Sequence, residues 1–200
     1  KLTKNNQVIN YDQLVIATNQ NDILHRTLQT GAQTKEGVTP SISPSMDIQV
    51  SSNFERALFE AYGRDGATVA AQMDELKSKG AFTISQGAID MLRGTFASGR
   101  ASEDETYAAI TDELTRSGEL LCPHSAVGVK VADDFQSATP MITLATAHPA
   151  KFPAAVEQAT GQHPPLPPHM ADLYDRDERV TRVTNDMVAL QTLIKERIAK

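Results

Sequence analysis

The chain has 200 residues, of which 40% are hydrophobic and 22% charged, and its 19 basic and 25 acidic side chains give a formal net charge of −6. That length allows one large domain or two small ones, and the acidic balance argues against a nucleic-acid-binding protein. The apolar runs are too short to span a membrane, and the single cysteine, Cys122, excludes an internal disulfide and favours a reducing compartment. The first residue is Lys1 and not Met, so either the start has been trimmed or the chain is an internal piece of a longer one.

The first part of the chain predicts a linker, a buried strand, a helix and a loop. Polar residues 1–12 predict the linker, and residues 14–17 (LVIA) form a continuous apolar run typical of a strand buried on both faces. Residues 23–28 predict a short helix that ends at Gly31. Two prolines and three serines in residues 37–49 (GVTPSISPSMDIQ), named here the serine–proline loop, argue against a regular element.

Helical periodicity dominates the middle of the chain. It predicts one helix between Ser51 and Gly63 and three more within the acidic segment 64–120. We expect that segment to be a helical subdomain inserted into an α/β framework. Residues 121–135 then predict a turn that leads into a further helix.

The last part of the chain predicts a second strand and two more helices. Residues 141–146 (MITLAT) are the second strand, and a helix that begins near Ala154 ends at Gly161. The proline-rich segment HPPLPPH (163–169) predicts an extended conformation, and residues 186–198 predict an amphipathic terminal helix.

Polar side chains follow both predicted strands, in ATNQND (17–22) and in ATAHPAKF (145–152). The carboxyl ends of strands in open α/β sheets are where ligands bind. Small polar residues also satisfy the hydrogen bonds of ordinary turns, and the pattern alone favours that simpler interpretation.

The serine–proline loop and the helix that follows it supply neutral donors and one cation, a combination that suits an anion. The alternative is an ordinary capped helix after a loop, which the pattern alone favours. The residues concerned are Ser43, Ser45, Ser51, Ser52, Asn53 and Arg56.

Two histidines, His124 and His148, each lie beside a proline in a turn. A histidine pKa near neutrality suits general acid or base catalysis, although such residues more often bond a backbone carbonyl. HExxH and CxxC patterns are absent, which argues against a metal site. The absence of GxSxG argues against a serine hydrolase.

Four segments, in this order and spacing, resemble threonine synthase: VIATNQNDIL (15–24), SPSMDIQVSSNFERALFEAYGRD (43–65), CPHSAVGV (122–129) and TLATAHPAKFPAAVEQATG (143–161). The resemblance covers residues 13–166, more loosely within 66–118, and matches only the C-terminal part of that family. It implies that the Schiff-base lysine and the glycine-rich loop for the cofactor phosphate lie upstream of this chain, which we expect to be inactive alone.

The resemblance implies an α/β fold that is part of a fold type II pyridoxal-phosphate enzyme sheet with a helical inserted subdomain. Residues 1–63 and 121–162 would belong to the pyridoxal-phosphate-binding α/β domain, residues 64–120 would be the helical insert, and residues 163–200 would hold the proline-rich segment and the C-terminal helix.

The same resemblance implies a reaction, a cofactor and a compartment. The family converts O-phosphohomoserine and water to threonine and phosphate with pyridoxal 5′-phosphate, the last step of threonine synthesis, and a cytoplasmic location is expected. The remainder of its own full-length chain is the expected partner, with neither nucleic acid nor membrane.

Site residues are also implied by the resemblance. A hydroxyl opposes the pyridine nitrogen in fold type II enzymes, and Thr146 is the candidate for it, with Asn19 and Asn21 as candidates to shape the cofactor pocket. His124 is the candidate catalytic residue in this chain. The candidates for the substrate phosphate are Ser43, Ser45, Asn53 and Arg56, with His148 and Lys151 as alternatives.

The chain departs from the family pattern at two positions. Cys122 stands where the family usually has Asp, and Ser125 replaces its Thr, so a carboxylate acceptor is lost while a hydroxyl is kept. If that Asp orients His124 in the family, the histidine needs another partner here. Two alternatives remain open: another fold type II enzyme such as threonine dehydratase, and a non-catalytic module that binds a partner through residues 64–120 and 163–169.

Overall fold

The computed structural model describes residues 2–4, 7–9, 11–135 and 137–199. They form a mixed α/β structure with small two-stranded sheets, as expected for the fold class. The chain divides into two compact units, Lys1–Pro165 and Leu166–Lys200. The strands are β1 (Leu2–Lys4), β2 (Gln7–Ile9), β3 (Leu14–Thr18), β4 (Ala32–Thr34), β5 (Ala81–Thr83) and β6 (Phe96–Arg100). The helices are α1 (Ile23–Thr30), α2 (Phe54–Ala61), α3 (Gly66–Lys79), α4 (Gln86–Thr95), α5 (Glu103–Ser117), α6 (Pro123–Asp133), α7 (Pro153–Thr160) and α8 (Met187–Ile198).

The strand predicted at residues 14–17 is confirmed as β3, which pairs in parallel with β6, but the prediction that it is buried on both faces is wrong here, because residues 14–17 are only half-buried. Their register runs from Leu14 opposite Phe96 to Thr18 opposite Arg100. The other two sheets, β1 with β2 and β4 with β5, are antiparallel. The linker predicted over residues 1–12 is therefore wrong in part, because β1 and β2 pair within it.

The first unit has a hydrophobic core between α1, α2, α3, α4 and β5. Phe54 and Leu58 of α2 meet Leu76 of α3 and Ile89 of α4 there, all of them buried. The three helices predicted within 64–120 are confirmed as α3, α4 and α5, but the segment also contains β5 and β6. These strands escaped prediction because three residues in β5 and five in β6 leave little periodicity to detect. The four-part domain division remains a prediction.

The strand predicted over residues 141–146 is wrong, since this segment has no regular secondary structure. Its large apolar side chains are exposed, with Ile142 and Leu144 at 69% and 70%. A strand exists only where a neighbouring strand satisfies its backbone groups, and β3 pairs instead with β6 within the described residues.

Helix α6 packs against β3 and β6. The segment CPHSAVGV (122–129) forms its N-cap and its first two turns. The approach to β6 is close: a Cβ placed on Gly99 would lie 2.7 Å from Cγ1 of Val131 on α6. Glycine is required there because α6 occupies the space that any larger side chain would fill. The C-terminal part of α6 is thereby held against β6, at the level of Ala17 in the paired strand β3.

The second unit, Leu166–Lys200, holds two short 3₁₀ turns, Pro168–Met170 and Leu173–Asp175, and then α8. The terminal helix predicted at residues 186–198 is confirmed, and Asp186 caps it by accepting from the Ala189 backbone N–H at 2.7 Å. Of the helices in the described part of the chain, none has the length and apolar character that crossing a membrane requires.

Candidate functional site

Asn19 and Asn21 come directly after β3, and both side chains turn toward the serine–proline loop. The Asn21 amide pairs with the backbone of Thr39, donating to its carbonyl at 2.9 Å and accepting from its N–H at 2.8 Å. The Asn19 Nδ2 group donates to the hydroxyls of Ser41 and Ser43, each at 2.9 Å. These amides therefore join the end of the strand to a loop about 20 residues away, a connection that a local turn would not provide.

A single carboxylate, that of Asp47, accepts most of the remaining hydrogen bonds of this cluster. Its Oδ1 accepts from Nδ2 of Asn19 at 2.7 Å and from Nδ2 of Asn21 at 2.8 Å. The hydroxyl and the backbone N–H of Ser41 donate to its two oxygens at 2.6 and 2.8 Å. Four donors thus converge on one carboxylate, which is half-buried in the loop.

The two loop serines predicted to bind anions lie in different surroundings. Ser43 is 1% exposed, and its hydroxyl is within hydrogen-bond distance of Asn19 and Ser41. Ser45 is exposed at a short 3₁₀ turn, Pro44–Met46, and its backbone N–H donates to Nε2 of His124 at 3.2 Å. Only the Ser45 hydroxyl is therefore placed at a surface that a ligand can reach without breaking the cluster.

His124, in the first turn of α6, is 8% exposed and lies against Phe152, with the ring centroids 4.6 Å apart. Its Nδ1 atom is buried and has no hydrogen-bond partner among the described residues. Because Nε2 accepts the Ser45 N–H, the neutral ring carries its proton on Nδ1. Burial lowers the pKa of His124 below its ordinary value, the Lys151 ammonium lowers it further, and the Asp47 carboxylate opposes both.

The start of α6 also holds the second candidate cluster, which connects Cys122, Ser125 and Thr146. Cys122 is the N-cap residue, and its Sγ accepts from the Ser125 backbone N–H at 3.4 Å. The Ser125 hydroxyl lies 3.3 Å from that sulfur, accepts the Thr146 backbone N–H at 3.1 Å, and lies 3.5 Å from the Thr146 hydroxyl. Cys122 therefore takes the position of a favoured capping residue and contacts Ser125, while His124 is held by Ser45 and Phe152.

Thr146 is exposed although its backbone is tied to the buried Ser125. Its hydroxyl is thus presented at the surface from an anchored backbone, an arrangement that fits a neutral hydrogen-bonding group for a ligand.

His148 precedes the 3₁₀ turn Pro149–Lys151, and Lys151 is the last residue of that turn, next to Phe152, whose ring contacts His124. Nδ1 of His148 accepts the Ala150 backbone N–H at 3.2 Å, so this histidine caps the turn. Lys151 is exposed, and its ammonium lies 5.9 Å from the centroid of the Phe152 ring, the same ring that contacts His124. The site therefore combines one nearby cation with the neutral donors of His124 and Ser45.

Asn53 and Arg56 lie at the start of α2 and are both exposed. Asn53 is the N-cap residue, yet its side chain makes no capping hydrogen bond. The contacts of the described residues do not connect either side chain to the cluster around Asp47 and His124. Ser51 and Ser52, which precede Asn53, are not the N-cap residue of this helix.

The sequence analysis did not single out Asp47, Ser41 or Phe152, although all three are central to these contacts. Their partners are 22 to 28 positions away for the asparagine bonds, so no short-range spacing reveals them. The only signal in the sequence is the presence of an acidic residue within a serine-rich loop, and such residues are common in turns.

Comparison with known proteins identifies the family of this chain. Residues 125–194 match the family model described as threonine synthase, C-terminal. The chain is 45% identical over 187 residues to a threonine synthase of Pseudomonas aeruginosa, an alignment that covers 92% of this chain and 40% of that protein. This alignment is longer than the segment 13–166 on which the motif resemblance depends.

Solved structures agree with these matches. The crystal structure of threonine synthase from Brucella melitensis with bound pyridoxal phosphate is 51% identical with a TM-score of 0.85, covering 92% of this chain and 40% of that chain. The yeast threonine synthase structure is 32% identical with a TM-score of 0.77, covering 94% and 42%. The chain thus spans about two fifths of the length of the relatives it matches.

Proposed function

This chain corresponds to the C-terminal region of threonine synthases, and on that premise we propose that the protein to which it belongs converts O-phosphohomoserine and water to threonine and phosphate with pyridoxal 5′-phosphate. The observation that carries the proposal is that the exposed Ser45 and Lys151 both lie near the buried His124, through the bond from the Ser45 N–H to Nε2 and through the electrostatic effect of the Lys151 ammonium on the ring. An enzyme for a phosphorylated substrate needs such a combination of neutral donors and a cation at an accessible surface.

The substrate phosphate is assigned to the exposed groups around His124. The Lys151 ammonium and the Ser45 hydroxyl are both exposed; the Ser45 backbone bonds His124, and the Lys151 ammonium lies over the Phe152 ring that contacts the same histidine. Ser43 is buried, and its hydroxyl is already bonded to Asn19 and Ser41. Its role in this proposal is therefore to hold the loop that carries Ser45. Asn53, Arg56 and His148 remain further candidates for the anion, each on an exposed turn or helix start.

His124 acts in this proposal as a hydrogen-bond donor. Its Nε2 atom is occupied by the Ser45 N–H, and its neutral ring holds a proton on a buried Nδ1 without a partner among the described residues. A buried donor left unsatisfied costs about 1–3 kcal/mol, so an acceptor supplied by the substrate would recover that free energy. The ring is therefore suited to orienting an anionic or carbonyl oxygen.

One hydroxyl of this chain, that of Thr146, has the chemistry needed to bind the pyridine nitrogen of pyridoxal phosphate. The Thr146 hydroxyl is exposed on an anchored backbone and is neutral, as a partner for a pyridine nitrogen in this enzyme class should be. When bound, the cofactor supplies an electron sink for negative charge that develops on substrate carbon atoms. Asn19 and Asn21 are the further candidates to shape the cofactor pocket, and their side chains are held by their bonds to the loop.

The proposal assigns the lysine that binds the cofactor to the part of the protein that lies outside this chain. The relatives are more than twice as long as the stretch aligned here, which supports that assignment. The remainder of the same protein is thus the chief partner of this region. The cytoplasm is the proposed compartment, which suits the single free thiol of Cys122.

The test is product analysis with the full-length protein, pyridoxal phosphate and O-phosphohomoserine. We expect threonine and inorganic phosphate in equal amounts. Release of 2-oxobutyrate and ammonia from threonine, without phosphate release, would instead identify a dehydratase. Failure of the full-length protein to bind pyridoxal phosphate would contradict the enzyme proposal and favour the interaction module.

A further inference from the structure

We propose that Asp47 is a positioning residue, which holds the serine–proline loop in the conformation that binds the phosphorylated substrate. The inference depends on the proposed function for its functional consequence, because the loop carries Ser45 to the surface assigned to the substrate phosphate. Asp47 itself is not assigned a contact with the substrate. Its effect passes through the loop.

The first observation is the convergence of donors on the carboxylate. Asn19 and Asn21 reach its Oδ1 from the end of β3, at 2.7 and 2.8 Å. Ser41 reaches it from within the loop with both its hydroxyl and its backbone N–H. The Asp47 carboxylate therefore joins the end of β3 to the serine–proline loop.

The second observation is that the 3₁₀ turn of the loop is held at two points, at its C-terminal end and at its middle residue. Asp47 is the C-cap residue of the turn Pro44–Met46, and its backbone N–H donates to the Pro44 carbonyl at 3.2 Å. Within the turn, the Ser45 N–H donates to His124. Two attachments from different parts of the chain, β3 and α6, thus place the Ser45 side chain between them.

The third observation is chemical. An ionised carboxylate only accepts hydrogen bonds, whereas an asparagine amide also carries two donors. Four donors can converge on Asp47 without conflict, but an Nδ2 group in place of Oδ2 would face the Ser41 N–H. A negative charge near a site for a phosphorylated substrate opposes binding, so its presence requires a structural reason, and these four bonds provide one.

The experiment uses the full-length protein with pyridoxal phosphate and compares wild type with Asp47→Asn and Ser41→Ala. We expect Asp47→Asn to raise KM for O-phosphohomoserine by about tenfold or more, since it weakens charge-assisted hydrogen bonds, with a smaller change in kcat. Hydrogen exchange in the peptide that covers residues 36–50 should accelerate, because the Ser41 N–H loses its acceptor. The matched control is Asp74→Asn, which removes one negative charge from an exposed position on α3 and should change neither measurement.

A double-mutant cycle separates a specific role from general destabilisation. Asp47→Asn and Ser41→Ala act on the same bonds, so their effects on KM should be less than multiplicative in the double variant. Unchanged KM and unchanged exchange in Asp47→Asn would overturn the proposal, as would fully independent effects in the cycle. If wild type does not turn over O-phosphohomoserine, the proposed function fails, while the exchange measurement still decides whether Asp47 holds the loop.

Discussion

The backbone N–H of Ser45 donates to Nε2 of His124 at 3.2 Å, although the two residues are 79 positions apart. This bond joins the serine–proline loop to the first turn of α6. It also determines the protonation of the ring, since an Nε2 that accepts leaves the proton of the neutral imidazole on Nδ1. The histidine therefore has one nitrogen that supports the loop and another, Nδ1, that is buried without an acceptor among the described residues and that the proposed function assigns to the substrate.

The two nitrogens of His124 can be tested separately with two amide variants. In the full-length protein, His124→Gln places an amide near the Nε2 position, and His124→Asn places one near the Nδ1 position. We expect His124→Gln to preserve slow hydrogen exchange in the loop but to raise KM for O-phosphohomoserine by about tenfold, because the ligand loses its donor. His124→Asn should accelerate exchange in the loop. If the two variants had the same KM and the same exchange rate in the loop, separate roles for the two ring nitrogens would be refuted.

The lowered pKa of His124 predicts a loss of stability in acid. The folded protein keeps this ring neutral because burial and the Lys151 ammonium disfavour its charge, so the unfolded chain binds the proton at higher pH. The stabilisation is thus complete above the ordinary pKa of 6.5 and is lost as the pH falls through the lower pKa of the folded state. Urea unfolding at pH 7.5 and at pH values below about 6 should show a smaller acid-induced loss in His124→Gln than in wild type. The exposed His169, changed to Gln, is the control and should leave the wild-type loss unchanged.

The Thr146 hydroxyl is expected to affect the bound cofactor itself. Titration of the full-length apoprotein with pyridoxal phosphate, followed by absorbance, should show weaker binding and an altered spectrum for Thr146→Val, while Thr146→Ser should resemble wild type. Val keeps the shape and loses the hydroxyl, so an effect confined to Val indicates hydrogen bonding. Ser125→Ala should give an intermediate result, because the Thr146 N–H loses its acceptor. Indistinguishable titrations for the Val and Ser variants would remove Thr146 from the cofactor site.

Gly99 provides a test of the packing that places α6. A methyl group at this position would meet Val131 at 2.7 Å, so Gly99→Ala should lower the free energy of unfolding by about 1–3 kcal/mol. Gly87→Ala is the matched control, since it lies on the exposed face of α4 with no atom within 4 Å of the new methyl group. That control should be neutral or stabilising by about 0.5–1 kcal/mol.

Adding Val131→Ala to the Gly99 variant tests the cause of the destabilisation. The smaller side chain makes room for the new methyl group, so the double variant should lose less stability than the two single effects together. Chemical denaturation of all four proteins measures this. Additive effects would show that Val131 is not the obstacle.

The sequence predicted the helices well because their signals are local. The helix at residues 23–28 ends where predicted, with Gly31 at a φ of +77° and its N–H bonded to the Thr27 carbonyl. The two ends of α5 also carry local signals, with Ser102 as the N-cap residue and Gly118 as the C-cap residue in the structure. Caps and periodicity act within a few residues, so they are visible without knowledge of the fold.

The strands were predicted less well, and the reason is their dependence on partners. The apolar run 141–146 looks like a strand but finds no neighbour among the described residues, whereas Phe96–Arg100 looks unremarkable and pairs with β3 along its length. The pairing partner of β6 is more than 80 positions away. Apolar character selects what is buried, but only the three-dimensional arrangement selects what pairs.

By itself the sequence determined the family resemblance, the candidate residue types of the site and the approximate positions of the helices. The tertiary structure alone decided which of those residues meet. It made Asp47 the acceptor for two asparagines, oriented His124 through Ser45, and tied Thr146 to Ser125. The physical reason is that hydrogen bonds act over about 3 Å in space, whatever the separation along the chain, and that a site is defined by such distances.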